Sequence, residues 1–268
     1  MYPLIFVVSA SFSSGAAVSA GRVVLWPVDF SLEGYQHVFR HNLIVRSYWN
    51  TFRYTTIGTL FSITIVMMAA YPLSRKDFVG RSKIMLVFVF TMLFSGGLIP
   101  SFLLMVNLGI LNTIWVMTIP PALSVFFVII ARTFILSSIP EELLESAQID
   151  GCSDARYFFA ILLPLSKAVI AVICLFAAVN HWNAFFSALV FLRDRDMMPL
   201  QIILREILIL NRMDMSMVDD PELVVRMMHI AAVIRYALIV VATLPILCAY
   251  PFAQKYFTKG VMVGSVKG

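Results

Sequence analysis

Long apolar blocks separated by short polar stretches dominate the chain. A helix needs about 20 consecutive apolar residues to cross the hydrocarbon core of a bilayer. Blocks of that length predict five spanning helices, at residues 49–72, 83–105, 113–134, 164–190 and 231–257. A shorter block at the start, MYPLIFVVSASF, has neither a basic region before it nor a clear cleavage site, so we interpret it as the outer end of a truncated first span. The pattern predicts an all-α, polytopic membrane protein with six transmembrane helices, the first truncated, forming one transmembrane domain over residues 1–268.

Basic residues orient the predicted spans. A bare count of Lys and Arg does not favour either side, but their density does, because the short stretch SRKDFVGRSK packs together Arg75, Lys76, Arg81 and Lys83. Short cytoplasmic loops of membrane proteins are rich in Lys and Arg. We therefore expect both termini in the cytoplasm. The inner segments are then 73–82 and 135–163, and the outer segments are 15–48, 106–112 and 191–230.

The last outer segment contains an amphipathic pattern. PLQIILREILIL places apolar residues at helical spacing, namely Leu200, Ile203, Leu204, Ile207 and Leu208. Such a helix packs on its own bundle or lies at the membrane interface, or else it offers a docking surface to a partner. After it, DDPELVV puts Pro221 at a favourable first helical position and predicts a helix that continues into the last span.

Composition agrees with the membrane class and excludes several others. The chain is 60% hydrophobic and 13% charged, whereas soluble domains carry about 25% charged residues. Its net charge of +5 does not indicate nucleic-acid binding, since the lysines lie between the apolar blocks, near their ends or beyond them. The predicted spans contain no Asp or Glu, which argues against an ion-coupled carrier.

Motifs for catalysis are missing from the sequence. It has no GxxxxGK[ST] phosphate loop, no Ser/His/Asp or Cys/His set with supporting spacing, and no CxxC or Cys/His cluster with metal-ligand spacing. We therefore expect a non-catalytic chain that binds no metal and no cofactor of its own.

The inner segment 135–163 interrupts this apolar pattern with the stretch ESAQIDGCSDARYFFAILLP. Pro140 and the acids that follow it suit the first turn of a helix. Gly151 permits a chain reversal, because glycine adopts positive φ at little cost. A second helix then begins, with Tyr157 and Phe158 on its apolar face, and we expect it to run into the span that starts at Pro164. The segment thus predicts a short helix, a tight turn and a second short helix on the cytoplasmic side.

This stretch resembles the EAA loop of ABC importer permeases. Glu145-Ser146-Ala147, Gly151 and Ile161-Leu162-Leu163-Pro164 keep the spacing of that motif, with Ser146 in place of its middle alanine. YPLSRKDFVGRSK and NHWNAFFSALVFL resemble the corresponding regions of carbohydrate-type permeases. DRDMMPLQIILREIL and KYFTKGVMVGSVKG are similar to a subgroup associated with the uptake of oligo- and polysaccharides, including acidic ones.

The resemblance implies an ABC type I importer permease fold of the maltose-permease second-subunit type, in the bacterial cytoplasmic (inner) membrane. It implies four kinds of partner besides membrane lipid: a homologous second permease, two ATPase subunits that hold ATP and Mg, and an extracellular solute-binding protein. The chain would be the permease subunit that couples ATPase motion to alternating access, with no nucleic-acid partner. The alternatives are a permease for a non-sugar solute and a non-conducting membrane scaffold or receptor subunit.

Two groups of candidate residues follow from the resemblance. The ATPase-coupling residues comprise a charged contact, small residues for close approach, the turn and two socket contacts: Glu145, Ser146, Ala147, Asp150, Gly151, Phe158 and Phe159. The candidate substrate path comprises amide and aromatic side chains near predicted outer turns: Asn180, His181, Trp182, Asn183, Asn107, Asn112 and Trp115. Amides match sugar hydroxyls, but Trp182 also suits interfacial anchoring and the asparagines also suit interhelical hydrogen bonds.

Overall fold

A computed structural model describes residues 2–215 and 220–264, and this part of the chain is helical, with no β-strand. A π-helical turn at Phe158–Leu162 and a 3₁₀ turn at Arg195–Met197 complete the secondary structure. The α-helices, in chain order, are α1 Tyr2–Ser11, α2 Gly15–Ser19, α3 Glu33–Arg40, α4 Ile44–Ser74, α5 Arg81–Leu93, α6 Leu98–Asn107, α7 Ile114–Thr118, α8 Val125–Ser138, α9 Glu141–Ile149, α10 Asp154–Tyr157, α11 Leu163–Leu165, α12 Lys167–Trp182, α13 Phe185–Phe191, α14 Leu200–Met215 and α15 Pro221–Gly264.

Two helices within the described residues are long and apolar enough to cross a bilayer: α4, with 31 residues, and the Glu222–Cys248 part of α15, with 27. Two bent pairs raise the number to four if each pair is one span: α5 with α6, at 113°, and Asp154–Leu165 with α12, at 79°. The shorter apolar helices α1 and α8 lie where the first and fourth spans are predicted. The all-α membrane architecture is confirmed, and the count of six spans stays a prediction.

Three expected spans are not continuous helices. The 83–105 block breaks between α5 and α6 around Gly96 and Gly97, which are weak helix formers. The 113–134 block breaks between α7 and α8, where Pro120 and Pro121 cannot continue a helix. The helix expected over 164–190 ends at Trp182. Apolar length alone does not show these breaks, because a bilayer-length block contains no information on where the backbone turns.

The described chain forms two compact units. One comprises the residues up to Phe52 together with Asn183–Cys248, and the other comprises Arg53–Trp182 with the residues from Ala249 onward. The single transmembrane domain expected over residues 1–268 stays a prediction.

In the first unit, α14 packs its apolar face inward. Four of the five predicted positions are buried and the fifth is half-buried, in the order Leu200, Ile203, Leu204, Ile207 and Leu208. The backbone N–H of Leu200 donates to the buried hydroxyl of Thr51 at 2.7 Å. The amide of Asn50 donates to the backbone oxygens of Asp196 and Met198, at 2.7 and 3.2 Å. The amphipathic prediction is therefore confirmed, with the apolar face used for packing within the chain.

In the second unit, a continuous apolar core joins the long apolar helices to the segment around Gly151. It contains residues of α4, α8 and α12 together with residues from the stretch around Gly151: Val66, Met67, Ala70, Val128, Ala131, Ile173, Ala147, Tyr157, Phe158 and Leu162. The two short helices α9 and α10 are thus packed on this core through buried side chains.

Candidate functional site

The predicted helix–turn–helix is present, and its first helix is α9. The backbone of Pro140 has the extended conformation expected before a helix, and the acids Glu141 and Glu142 occupy the first turn. Negative side chains are favourable there because the first turn carries the positive end of the helix dipole. The Ser146 hydroxyl donates to the Glu142 carbonyl at 2.8 Å, so the serine is accommodated on the helix surface in place of the usual alanine.

The turn after α9 is a Schellman motif centred on Gly151. Its φ is +74°, a conformation that residues with a Cβ rarely adopt. The N–H of Gly151 donates to the Gln148 carbonyl at 3.0 Å, and the N–H of Cys152 donates to the Ala147 carbonyl at 2.9 Å. The Ser153 hydroxyl then accepts from the N–H of Arg156 and caps α10. Gly151, Cys152 and Ser153 therefore each form a hydrogen bond with a backbone group at the end of α9 or the start of α10. These bonds define the chain reversal.

The coupling candidates divide into exposed and buried residues. Glu145, Ser146, Asp150 and Gly151 are exposed, as is Phe159, at 66%. No cation pairs with Glu145 among the residues that the structure describes. One carboxylate of α9 is therefore free to meet a partner.

Ala147 and Phe158 lie in the core of the second unit, 8% and 7% exposed. The Phe158 ring contacts the Tyr71 ring at 5.5 Å between centroids. Within this chain, these two side chains attach the loop to α4 and α8 rather than pointing outward. Their assignment to the ATPase contact stays a prediction. Because both side chains are buried in the core, their packing favours a role in holding the loop on the helix bundle.

The second helix does not run straight into the next span. A π-helical turn follows α10, in which the N–H of Leu163 reaches the Phe158 carbonyl. The axis then bends by 79° at Ser166, between Leu165 and Lys167. The helical stretch therefore continues through Pro164 as far as Leu165, and the bend at Ser166 separates it from the rest of the expected span. Pro164 removes a backbone donor from the helical ladder, which the local rearrangement accommodates.

A charged cluster at the end of α4 adjoins this loop. Arg75 directly follows α4, and its side chain is 10% exposed. Its guanidinium donates to Asp77 Oδ1 at 2.8 Å, to the Tyr71 hydroxyl at 3.0 Å, and to Asp154 at the start of α10. The hydrogen bond with Arg75 lowers the pKa of Asp77, and the hydrogen bond with Asp77 raises that of Arg75. Arg75 and Asp77 therefore form an ion pair at neutral pH.

A second ion pair lies at the start of α9. Lys76 pairs with Glu141, and this hydrogen bond raises the pKa of Lys76. Both side chains are exposed, so the pair contributes little to stability. The two ion pairs join the loop after α4 to the first residue of α9 and the first residue of α10.

A cavity of about 590 Å³ opens beside α9, between the ends of α4 and α8. Its lining is mixed. Apolar side chains include Ile135, Leu144 and Leu162, and polar ones include Arg75, Lys76, Glu141, Glu145 and Gln148. The unpaired carboxylate of Glu145 thus lines a recess rather than a flat surface.

The substrate-path candidates do not form one cluster. His181 is 5% exposed, and its ring hydrogen-bonds to the backbone of Gly58 in α4 and of Met117 in α7. A Cβ at Gly58 would overlap this ring. His181 therefore joins three helices inside the second unit, which corresponds to the interhelical alternative.

The other path candidates differ in exposure. Trp182 is buried, whereas Asn107, Asn180 and Asn183 are exposed and Asn112 is half-buried. The amide oxygen of Asn183 accepts from the Gln201 amide at 3.4 Å. Trp115 is 45% exposed and meets Phe61 edge to face at 6.1 Å. Their role in a sugar path stays a prediction.

The cluster around Arg75 was not among the residues singled out from the sequence. The stretch SRKDFVGRSK indicates the orientation of the chain and carries part of the family resemblance, but no ion pair is predicted from it. The sequence does contain a signal for this cluster, because three consecutive charged residues directly after a spanning helix are expected to form ion pairs. Asp154 lies 79 residues further along the chain, and spacing alone does not indicate that pairing.

The helical fold, with long apolar helices and a helix–turn–helix packed on their core, is that of an integral-membrane protein. A family model described as "Binding-protein-dependent transport system inner membrane component" matches residues 59–263, and the chain belongs to that family. The EAA-loop resemblance and the permease fold are thereby confirmed.

Its relatives are permeases of carbohydrate transport systems. The chain is 42% identical to the polygalacturonan/rhamnogalacturonan transport system permease protein YtcP of Bacillus subtilis (strain 168), over 99% of this chain and 92% of that protein. It is 28% identical to the arabinooligosaccharides transport system permease protein AraQ of Halalkalibacterium halodurans, over 100% of this chain and 91% of that protein. A crystal structure of a bacterial ABC transporter involved in the import of the acidic polysaccharide alginate contains a similar chain. The TM-score is 0.81 at 34% identity, covering 96% of this chain and 90% of that one.

Proposed function

We propose that this chain is the permease subunit of an ATP-driven importer of oligo- or polysaccharides, with acidic sugars as the preferred class. Membership of the binding-protein-dependent family supports the transport role. The names of YtcP and of the alginate importer support acidic sugars as the cargo, since polygalacturonan and alginate are both polymers of sugar acids.

The partners in this proposal are a homologous second permease, two ATPase subunits that bind ATP and Mg, and an extracellular binding protein that delivers the sugar. The chain itself carries no catalytic group. Its site is the bacterial inner membrane, with both termini in the cytoplasm.

The observation that carries the mechanism is the geometry of the coupling loop. α9 ends in a fully hydrogen-bonded turn at Gly151 and is attached to the spanning helices through Ala147 and Phe158. A rigid segment of this kind transmits a displacement as a whole, as rigid-body switching requires. Glu145, unpaired beside its cavity, supplies the charged contact with a cation of the ATPase. Ser146 and Asp150 lie at the same exposed surface, Gly151 sets the reversal, and Phe159 offers an apolar contact.

The cargo contacts in this proposal are the exposed amides Asn107, Asn180 and Asn183, with Asn112 and Trp115 beside the α7 turn. His181 and Trp182 are buried, and they support the path by fixing helix positions. Sugar hydroxyls both donate and accept hydrogen bonds, which amides can match.

The test is copurification followed by an ATPase assay. Tagged chain, expressed with its neighbouring transport genes, should copurify with a second permease and an ATPase. In liposomes, oligogalacturonates bound to the binding protein should stimulate ATP hydrolysis, and neutral maltodextrins should not. Stimulation by a non-sugar solute would contradict the cargo, and a complex that hydrolyses ATP but moves no solute would indicate a scaffold or receptor.

A further inference from the structure

The inner loop after α4 holds the coupling helix on both of its flanks. Lys76 pairs with Glu141, the first residue of α9, and Arg75 pairs with Asp154, the first residue of α10. The loop after α4 is far in sequence from α9 and α10. Ion pairs nevertheless join residues close to the end of α4 to the first residue of each of these helices. α9 therefore cannot turn relative to α4 without breaking one of these two links.

The two links differ in strength. Lys76 is 68% exposed and Glu141 is 41% exposed, and exposed ion pairs of this kind contribute little. Arg75 is 10% exposed, and its guanidinium satisfies Asp77, Tyr71 and Asp154 together. Hydrogen bonds between ionised partners are roughly twice as strong as neutral ones. Because its Arg75 end is largely buried and held by three partners, Arg75–Asp154 is the stronger of the two links, although Asp154 itself is 67% exposed.

The end of α4 is also fixed from the opposite side. Arg132 of α8 donates through Nε to the Leu73 carbonyl at 2.8 Å, one of the carbonyls that a helix end leaves without an internal partner. The Arg75 carbonyl accepts from the Arg81 guanidinium at 2.7 Å. A force applied at Asp154 thus reaches the last turn of a helix whose position is already defined by α5 and α8.

We propose that the Arg75–Asp154 pair is the joint through which the coupling loop moves the spanning helix α4. Arg75 is a positioning residue in this account, since it acts through Asp154 and touches neither nucleotide nor sugar. The proposal rests on the proposed function, because a joint matters only if the loop is driven by an ATPase. It adds a polar connection between the loop and α4, beside the apolar contacts that Ala147 and Phe158 make with the spanning helices.

The decisive variant is Asp154→Asn, which removes the charge and keeps the size. Asp154 is 67% exposed, so the substitution leaves no void. Asp77→Asn is the matched control, because it takes a carboxylate from the same guanidinium but lies two residues from Arg75 in the same loop and forms no ion pair with α9 or α10 among the described residues. Asp154→Glu keeps the charge and serves as the conservative variant.

The measurement is the ratio of oligosaccharide imported to ATP hydrolysed, in liposomes containing the complete importer. For Asp154→Asn we expect ATP hydrolysis to persist while the ratio falls about fivefold or more, the lower end of typical coupling between sites. Asp77→Asn and Asp154→Glu should keep the ratio within about twofold of the unmodified protein, a narrower margin than that coupling range.

Three outcomes would contradict the proposal that the Arg75–Asp154 pair is the joint. One is an unchanged ratio in Asp154→Asn, another is an equal fall in Asp77→Asn, and the third is loss of assembly in Asp154→Asn, which would make Asp154 a folding residue. Failure of the proposed function is distinguishable, because the unmodified importer would then show no ATP-driven uptake at all.

Discussion

Replacing Gly58 by alanine tests the helix packing that the structure assigns to His181. Gly58 lies in α4 against the imidazole of His181, and an added Cβ would overlap the ring. The ring is 5% exposed and hydrogen-bonds to the backbone of Gly58 and Met117. A methyl group at this position must displace the ring and weaken both hydrogen bonds.

Three contributions set the magnitude. Overpacking in a well-packed interior costs about 1–3 kcal/mol, and hydrogen bonds between transmembrane helices average about 0.6 kcal/mol each. Alanine gains about 0.5–1 kcal/mol over glycine in a helix interior. The sum is a loss of about 2 kcal/mol of unfolding free energy, which lowers Tm by about 4–8 °C for a chain of this size.

The assay is thermal unfolding of the purified importer complex in detergent. Gly96→Ala is the control, because the added Cβ there meets only Pro100 Cβ at 3.8 Å, an ordinary contact. The double variant Gly58→Ala with His181→Ala should lose less stability than the sum of the single variants, since the ring that opposes the methyl is gone. Equal Tm values for Gly58→Ala and Gly96→Ala, or strict additivity in the double variant, would refute the packing.

Three further predictions concern the turn, the free carboxylate and the packing of α14. Gly151→Pro should leave ATP hydrolysis intact and reduce uptake at least about tenfold, because proline fixes φ near −65° where the turn has +74°; Gly151→Asn, which tolerates positive φ, should retain uptake. Glu145→Lys should have the same uncoupling effect in vesicle uptake, since it reverses the charge of the unpaired carboxylate beside the cavity, and unchanged uptake would contradict that contact. Thr51→Val should cost about 1–3 kcal/mol in thermal unfolding, because the buried N–H of Leu200 loses its acceptor; Thr51→Ser, which keeps the hydroxyl, should cost less.

Local chemistry made much of the architecture predictable. The apolar face of α14 follows from 3.6-residue periodicity, and its burial at Leu200 and Ile203 confirms that interpretation. The turn at Gly151 is predictable for a similar reason, since only a few residues adopt positive φ and glycine is foremost among them. Both features depend on residues close together in sequence.

Features that depend on tertiary contacts were not predictable in the same way. The bend at Ser166 and the breaks at 94–97 and 119–124 lie inside apolar blocks, where hydropathy does not vary. His181 looked like a sugar contact because of its neighbours Asn180 and Asn183, but the close approach of Gly58 buries it. The pairing of Arg75 with Asp154 joins residues that no sequence period relates.

The central claim is that this chain imports acidic oligosaccharides by coupling their passage to ATP hydrolysis. Its most direct test is uptake of labelled oligogalacturonate into liposomes that contain the complete importer, with binding protein outside and ATP inside. The account predicts uptake that requires both ATP and binding protein, and that is lost in Glu145→Lys while ATP hydrolysis continues. Uptake driven by an ion gradient without ATP, or ATP hydrolysis with no uptake by the unmodified importer, would contradict it.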